Sequence, residues 1–211
     1  MRGECRRSIS GLNMKIIIVG ATGTLGSKIA KTLEEKHEII RVGNRHGDFQ
    51  VDIANETSIQ TMFEEIGPFD ALISTTGKAP FAPIPEMTSI QIQSGIFNKL
   101  LGQINLVLIG QHFIRANGSF TLTSGILSDH PVLGGSALST VNGGINSFVK
   151  SAALELKHNV RLNAVSPNVV EDSPAYFDSF PGEIPVSMYK VIKAFEKSVF
   201  GIVNGQIIQV Y

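Results

Sequence analysis

The sequence predicts an α/β domain built as a doubly wound parallel sheet, about seven strands with helices on both faces. Three observations carry this reading. Short β-branched runs alternate along the chain with longer helical patterns, as crossover helices between parallel strands require. The first run, "KIIIVG" (15–20), is apolar without alternation, as in a strand covered on both faces. It passes at once into a glycine-spaced turn, "GATGTLG" (20–26), and then into an amphipathic helix.

The elements follow in order. Thr24 to Glu35 sets Leu25, Ile29 and Leu33 at helical spacing. "EIIRVG" (38–43) reads as the second strand and "FQVDI" (49–53) as a short third. Asn55 or Thr57 caps a helix carrying Ile59, Met62, Phe63 and Ile66. "DALIST" (70–75) is the fourth strand, and a Pro-rich loop (78–87) leads into a long helical region, 88–116. "GSFTLTSG" (118–125) is the fifth strand, and a helix over 136–158 leads to a sixth, "VRLNAVSP" (160–167). A Pro-rich loop (173–187), a helix (188–199) and the strand "QIIQVY" complete the chain.

Bulk properties narrow the function classes. The chain has 211 residues, 43% hydrophobic and 17% charged, enough for one domain with a sizeable core. Net charge is zero, so nothing favours a nucleic acid or a membrane surface as partner. No apolar run reaches the roughly 20 residues of a membrane span. The single cysteine, Cys5, has no partner in the chain, which points to a reducing, cytoplasmic setting. "MRGECRRSISGLN" (1–13) is polar, basic and lacks an apolar signal core; it is expected to be a disordered extension before a domain spanning 14–211.

The glycine loop carries the first chemistry. Gly20 permits the tight turn out of the strand, Gly23 lets backbone approach a pyrophosphate, and Gly26 allows close helix–strand packing. Thr22, Thr24 and Leu25 stand between them, where the helix N-terminus offers free N–H groups to phosphate. A carboxylate at the end of the second strand would select NAD(H); this chain has Asn44 and Arg45 there, with no acid until Asp48. A guanidinium pairs well with a 2′-phosphate, so the expected cofactor is NADP(H) rather than NAD(H).

With these residues placed, Met14 to Tyr211 resembles the short-chain dehydrogenase/reductase family, which has a Rossmann-type fold. "GATGTLG" is similar to its cofactor loop. "VDI" (51–53) resembles the segment that places Asp52 at the adenine amine and Ile53 on the ring. "STTG" (74–77) stands where the family has N-N-A-G, which implies cofactor contacts for Thr75 and Gly77. "RLNAVSPN" (161–168) is similar to R-x-N-x-V-x-P-G, with Asn168 for the glycine; Pro167, Asn168 and Val169 are thereby expected beside the nicotinamide.

The family's catalytic set is Asn, Ser, Tyr and Lys, and here the match breaks. Ser124 in "LTSG" aligns with the serine. The Tyr-Ser-Ala-Ser-Lys stretch aligns with Leu138-Ser139-Thr140-Val141-Asn142, so Leu138 replaces the tyrosine and Asn142 the lysine. The asparagine of N-x-x-G aligns with Lys99 in "KLLG". One positive charge is therefore expected in the pocket on the opposing helix, where desolvation would tune Lys99 as an acid or base; the plainer alternative is that Lys99 snorkels to solvent in a decayed site. Tyr189 and Lys193 form a Tyr-x-x-x-Lys pattern, but they fall after the sixth strand in a helix with a core stripe. His130 is the alternative proton donor. The resemblance implies an oxidoreductase for a small carbonyl or alcohol, assembled as a homodimer or homotetramer, with no metal. A non-catalytic NADP(H)-binding sensor is the other reading.

Overall fold

In the computed structural model, residues 13–211 are described. They form seven strands: β1 (Lys15–Val19), β2 (Glu38–Gly43), β3 (Phe49–Gln50), β4 (Phe69–Ser74), β5 (Ile114–Thr123), β6 (Arg161–Pro167) and β7 (Ile207–Val210). The α-helices are α1 (Thr24–Leu33), α2 (Glu56–Ile66), α3 (Ser89–Gly95), α4 (Gly102–Gly110), α5 (Ser136–Ala152) and α6 (Met188–Phe200). A π-helical segment, Ile96–Leu101, joins α3 to α4. All strand pairs are parallel, in the order β3-β2-β1-β4-β5-β6-β7. The order reverses between β1 and β4, so the loops at their C-terminal ends diverge and open a crevice there.

Burial explains the unbroken apolar run of β1. Ile17 and Val19 join one core with Ile59, Phe63, Leu106 and Ile145 from α2, α4 and α5. Ile16 and Ile18 join the other with Ile29, Val191, Phe195 and Val199 from α1 and α6. With helices on both faces, neither side of the strand meets water, and alternation has nothing to encode.

Five predicted boundaries are corrected. The helical region predicted to 116 ends at Gly110, and β5 starts at Ile114 rather than Gly118. The Phe113 ring stacks on Phe63 and Ile114 pairs with Phe69, so tertiary contacts hold Phe113 in the turn and place Ile114 at the start of β5. The helix predicted over 136–158 ends at Ala152; His158 and Asn159 take φ of 58° and 57° to turn the chain into β6. The third strand stops at Gln50, because Asp52 accepts from Ala54 N and Asn55 N and begins a turn into α2. Helix α1 ends at Leu33 rather than Glu35. The expectation for 1–13 falls outside the described residues apart from Asn13, whose Oδ1 accepts from Glu38 N at 3.0 Å; Cys5 also lies outside them. Asn55 caps α2 through Ser58 N, as one of the two candidates.

The motif "RLN" has a structural job. Arg161 donates to the carbonyls of Ser198 and Val199 at the end of α6. Asn163, fully buried, donates to Val203 O at 2.9 Å and accepts from Gln206 N at 3.0 Å. It thereby pins the α6–β7 connection to the sheet. Asn163→Ala leaves both backbone groups without partners, so it is expected to cost about 2–4 kcal/mol and to lower the midpoint of thermal unfolding by about 5–10 °C.

Candidate active site

The glycine loop is built so that no side chain intrudes on it. Gly20 has φ +89°, and a Cβ at Gly26 would stand 2.2 Å from the Gly20 carbonyl oxygen. The helix therefore starts directly against the turn. Gly23 is the N-cap of α1 and supplies no side-chain cap, which leaves the first N–H groups free for a ligand. Thr75 braces the loop from below: its hydroxyl donates toward the carbonyls of Val19 and Gly20 at 3.3 and 3.2 Å. Of the residues expected at the cofactor, Thr75 thus turns to the backbone of the loop rather than into the crevice.

The crevice is a cleft of about 270 Å³ lined by Gly20, Asn44, Asp52, Ile53, Thr76, Gly77, Lys78 and Asn98 among others. Arg45 is exposed on the turn after β2 and makes no ion pair among the described residues. Asp48, the nearest acid, is held by the Arg41 backbone N–H at 2.8 Å. Ile53 lies between the cleft and α4, where a Cβ on Gly102 would meet it at 2.9 Å. A backbone cradle without side chains, an uncapped helix start and a β2 end without a carboxylate fit a dinucleotide with a phosphorylated ribose.

Lys99, Ser124 and Asn142 come together behind the cleft wall, where Gly77 of its lining packs against Lys99. The Lys99 ammonium donates to Asn142 Oδ1 at 2.7 Å and to the Ser124 carbonyl at 3.3 Å. Lys99 is 9% exposed, so it does not snorkel. Burial alone lowers its pKa from 10.5 to about 8, with no carboxylate to oppose the shift. Asn142 turns its amide to the Gly125 carbonyl at 3.3 Å. The Ser124 hydroxyl is buried and has no hydrogen-bond partner among the described residues. Leu138 stands one turn before Asn142 on α5.

The surroundings hold this trio in place. The π-helical segment carries Lys99, and such segments recur at functional sites because they redirect a side chain. Gly77, with φ +103°, lets the chain pass where a Cβ would be 2.7 Å from Lys99 Cα. Gln103 grips the backbone of Thr123 from both sides, accepting from its N–H at 2.9 Å and donating to its carbonyl at 3.0 Å. Sequence reasoning passed over Gln103, Lys78 and Asn98. The signal for Gln103 was a polar residue inside the apolar run "GQINLVLIG".

Other candidates lie apart or are engaged. Tyr189 is 69% exposed on α6, and Lys193 pairs with Glu196 at 2.5 Å. His130 Nδ1 lies 2.9 Å from Glu183 Oε1. Asn168 donates to the other Glu183 oxygen at 2.7 Å and accepts from Val169 N, so its side chain faces the 173–187 segment. Pro167 ends β6 beside it. Among the described residues no cluster of three or more His, Cys, Asp or Glu side chains is placed to hold a metal, and no helix is long and apolar enough to cross a membrane.

A parallel sheet in this order, with the glycine turn after β1 and the crevice at the reversal, defines a dinucleotide-binding α/β protein. The family model described as enoyl-(acyl carrier protein) reductase matches residues 12–183. The chain belongs to the short-chain dehydrogenase/reductase family of oxidoreductases. It is similar in structure to a protein from Listeria innocua, with 47% identity and a TM-score of 0.92 over 94% of this chain and 100% of that one. A small-chain dehydrogenase crystallised with NADPH is 27% identical, with a TM-score of 0.84 over 94% of this chain and 97% of that one. The mouse 3-oxoacyl-[acyl-carrier-protein] reductase is 26% identical over 135 residues, 61% of this chain and 57% of the mouse protein, so the match spans little more than half of that relative.

The depressed Lys99 pKa has a consequence for stability. Between pH 8 and 10.5 the unfolded chain holds the Lys99 proton and the folded chain does not, so stability rises with pH across that window and is lost again as pH falls toward 8. Chemical denaturation of wild type and Lys99→Met at pH 7.5 to 9.5 should show the wild type gaining on the variant with pH. The full rise integrates to about 3 kcal/mol.

Proposed function

We propose that this protein is an NADP(H)-dependent oxidoreductase for a small carbonyl or alcohol, in which Lys99 does the proton transfer that a tyrosine performs in its relatives. One observation carries the reading: a buried ammonium, hydrogen-bonded by Asn142, beside an unpartnered buried Ser124 hydroxyl. Gly20, Gly23, Gly26 and the first turn of α1 would hold the pyrophosphate. Asn44 and Arg45 would hold the 2′-phosphate, Asp52 and Ile53 the adenine, and Pro167 to Val169 the nicotinamide end. The NADPH bound by a 27% identical relative supports the choice of cofactor. When bound, the nicotinamide supplies or accepts the hydride.

The rest is the work of this chain's side chains. Ser124 donates its free hydroxyl to the substrate oxygen and fixes its position. In reduction, Lys99 gives that oxygen a proton; in oxidation, the neutral amine takes it. Asn142 accepts from Nζ in either state and keeps it aimed. Desolvation makes Lys99 a stronger acid than an exposed lysine, near the pH at which it works. Leu138 favours the second reading, a non-catalytic NADP(H)-binding sensor, because it can donate nothing.

NADPH oxidation against a panel of aldehydes and ketones separates the two. Turnover is expected, with kcat/KM for reduction falling as pH rises through about 8, where Lys99 loses its proton. Lys99→Ala is expected to lose about 10²–10⁴-fold in kcat and Ser124→Ala about 10²-fold, while Tyr189→Phe stays at the wild-type rate. NADPH binding without turnover on any member of the panel supports the sensor.

The assembly is part of the same proposal. Gly144 packs on Leu100 and Ala153 is buried, so these small residues serve the chain's own packing. Ile90 and Phe97 stand exposed on α3 and the π-helical segment and favour a homo-oligomer through that face. Sedimentation is expected to give a dimer or tetramer, and Phe97→Glu to shift it toward monomer.

A further inference from the structure

The cofactor's pyrophosphate brings two negative charges to the end of β1, and the glycine loop answers with neutral N–H groups alone. "GATGTLG" contains no cation. Lys28, the first cation along α1, is turned to Asp172 at 3.3 Å. Arg45 stands beyond β2, on the far side of β1 from β4. The cleft has one basic side chain in its lining, Lys78, and one acid, Asp52. Lys78 is exposed and makes no ion pair among the described residues. It follows Gly77 at the end of β4, the strand next to β1, and shares the cleft wall with Gly20. Its backbone is fixed, since Lys78 N donates to Asn98 Oδ1 at 2.7 Å. The backbone is anchored and the side chain is free to reach a ligand.

We infer that Lys78 is a second anion contact of the crevice, a pyrophosphate-binding cation that works from the β4 side while Arg45 serves the ribose phosphate from the β2 side. This rests on the dinucleotide reading above and adds a residue to it. The division of labour has a consequence. Lys78 adds affinity for any ligand with a diphosphate, with or without a 2′-phosphate, whereas Arg45 sets the preference between the two cofactors. A flexible, exposed ammonium acts as a point charge, so its contribution is screened by salt.

The test is calorimetric titration of NADPH, NADH and ADP into wild type, Lys78→Met and Arg45→Met, at low and high NaCl. Lys78→Met is expected to weaken all three ligands by about five- to ten-fold at low salt, with the NADPH-to-NADH ratio unchanged and the loss shrinking at high salt. Arg45→Met should weaken NADPH alone. Lys78→Arg should restore most of the affinity, since it returns the charge to the same anchored position. If ADP binds Lys78→Met and wild type equally, the inference is overturned while NADPH binding by the wild type leaves the dinucleotide reading standing. A loss confined to NADPH would likewise overturn it, by moving Lys78 to the 2′-phosphate. Failure of the wild type to bind either dinucleotide overturns the underlying reading and the inference with it.

Discussion

The ammonium of Lys99 lies out of water with only neutral oxygens as acceptors, and the centre of the molecule is arranged around keeping it there. An ammonium has three donors, and Asn142 Oδ1 and the Ser124 carbonyl use two of them. Every neighbouring oddity of the backbone serves this placement. The π-helical segment turns the side chain inward, Gly77 clears the space against its Cα, and Gln103 fixes the strand end that presents the Ser124 carbonyl. Loss of any one would leave a buried charge short of an acceptor, which is among the costlier defects a core can hold.

The same arrangement accounts for the residue types that face each other from the π-helical segment and α5. With the cation on the π-helical segment, a lysine at 142 would bring two ammonium groups within hydrogen-bonding distance of each other, and each would drive off the other's proton. Asparagine resolves this. Its oxygen accepts from Lys99 and its amide donates to the Gly125 carbonyl, so both ends of one short side chain are satisfied. Asn142 thus suits a buried Lys99, and the two side chains form one hydrogen-bonded unit.

Much of this was legible in the sequence, for identifiable reasons. The glycine spacing, the buried first strand and the R-x-N-x-V-x-P stretch each impose a local geometry that few residues satisfy, so they announce the fold. The alignment of Lys99 and Asn142 to reciprocal positions raised Lys99 as the pocket's positive charge, and its hydrogen bond to Asn142 is what the structure adds. What the sequence hid was set by tertiary contact. Phe113 and Ile114 look helical in isolation, but the ring of Phe63 holds Phe113 in the turn and the strand partner Phe69 draws Ile114 into the sheet. The π-helical insertion leaves no composition signature, because one extra residue in a helix changes phase and not residue type. Gln103 and Asn98 act through backbone partners distant in sequence, which no periodicity encodes.

The loops around the ends of β5, β6 and β7 follow a different logic from the sheet. There the side chains bind one another across loops. Glu183 accepts from Asn168 and faces His130, while Asp129 accepts from Tyr211 at 2.6 Å, and Tyr211 in turn meets Ser166 at 2.9 Å. The Tyr211 contact holds the Asp129 carboxyl below its ordinary pKa, so it stays an acceptor. These ties fix the loop after Ser124 to both the 173–187 segment and β7. They also engage His130 Nδ1 with the Glu183 carboxylate. Beside Lys99 the Ser124 hydroxyl is left without a partner among the described residues, so one free hydroxyl stands next to one desolvated amine.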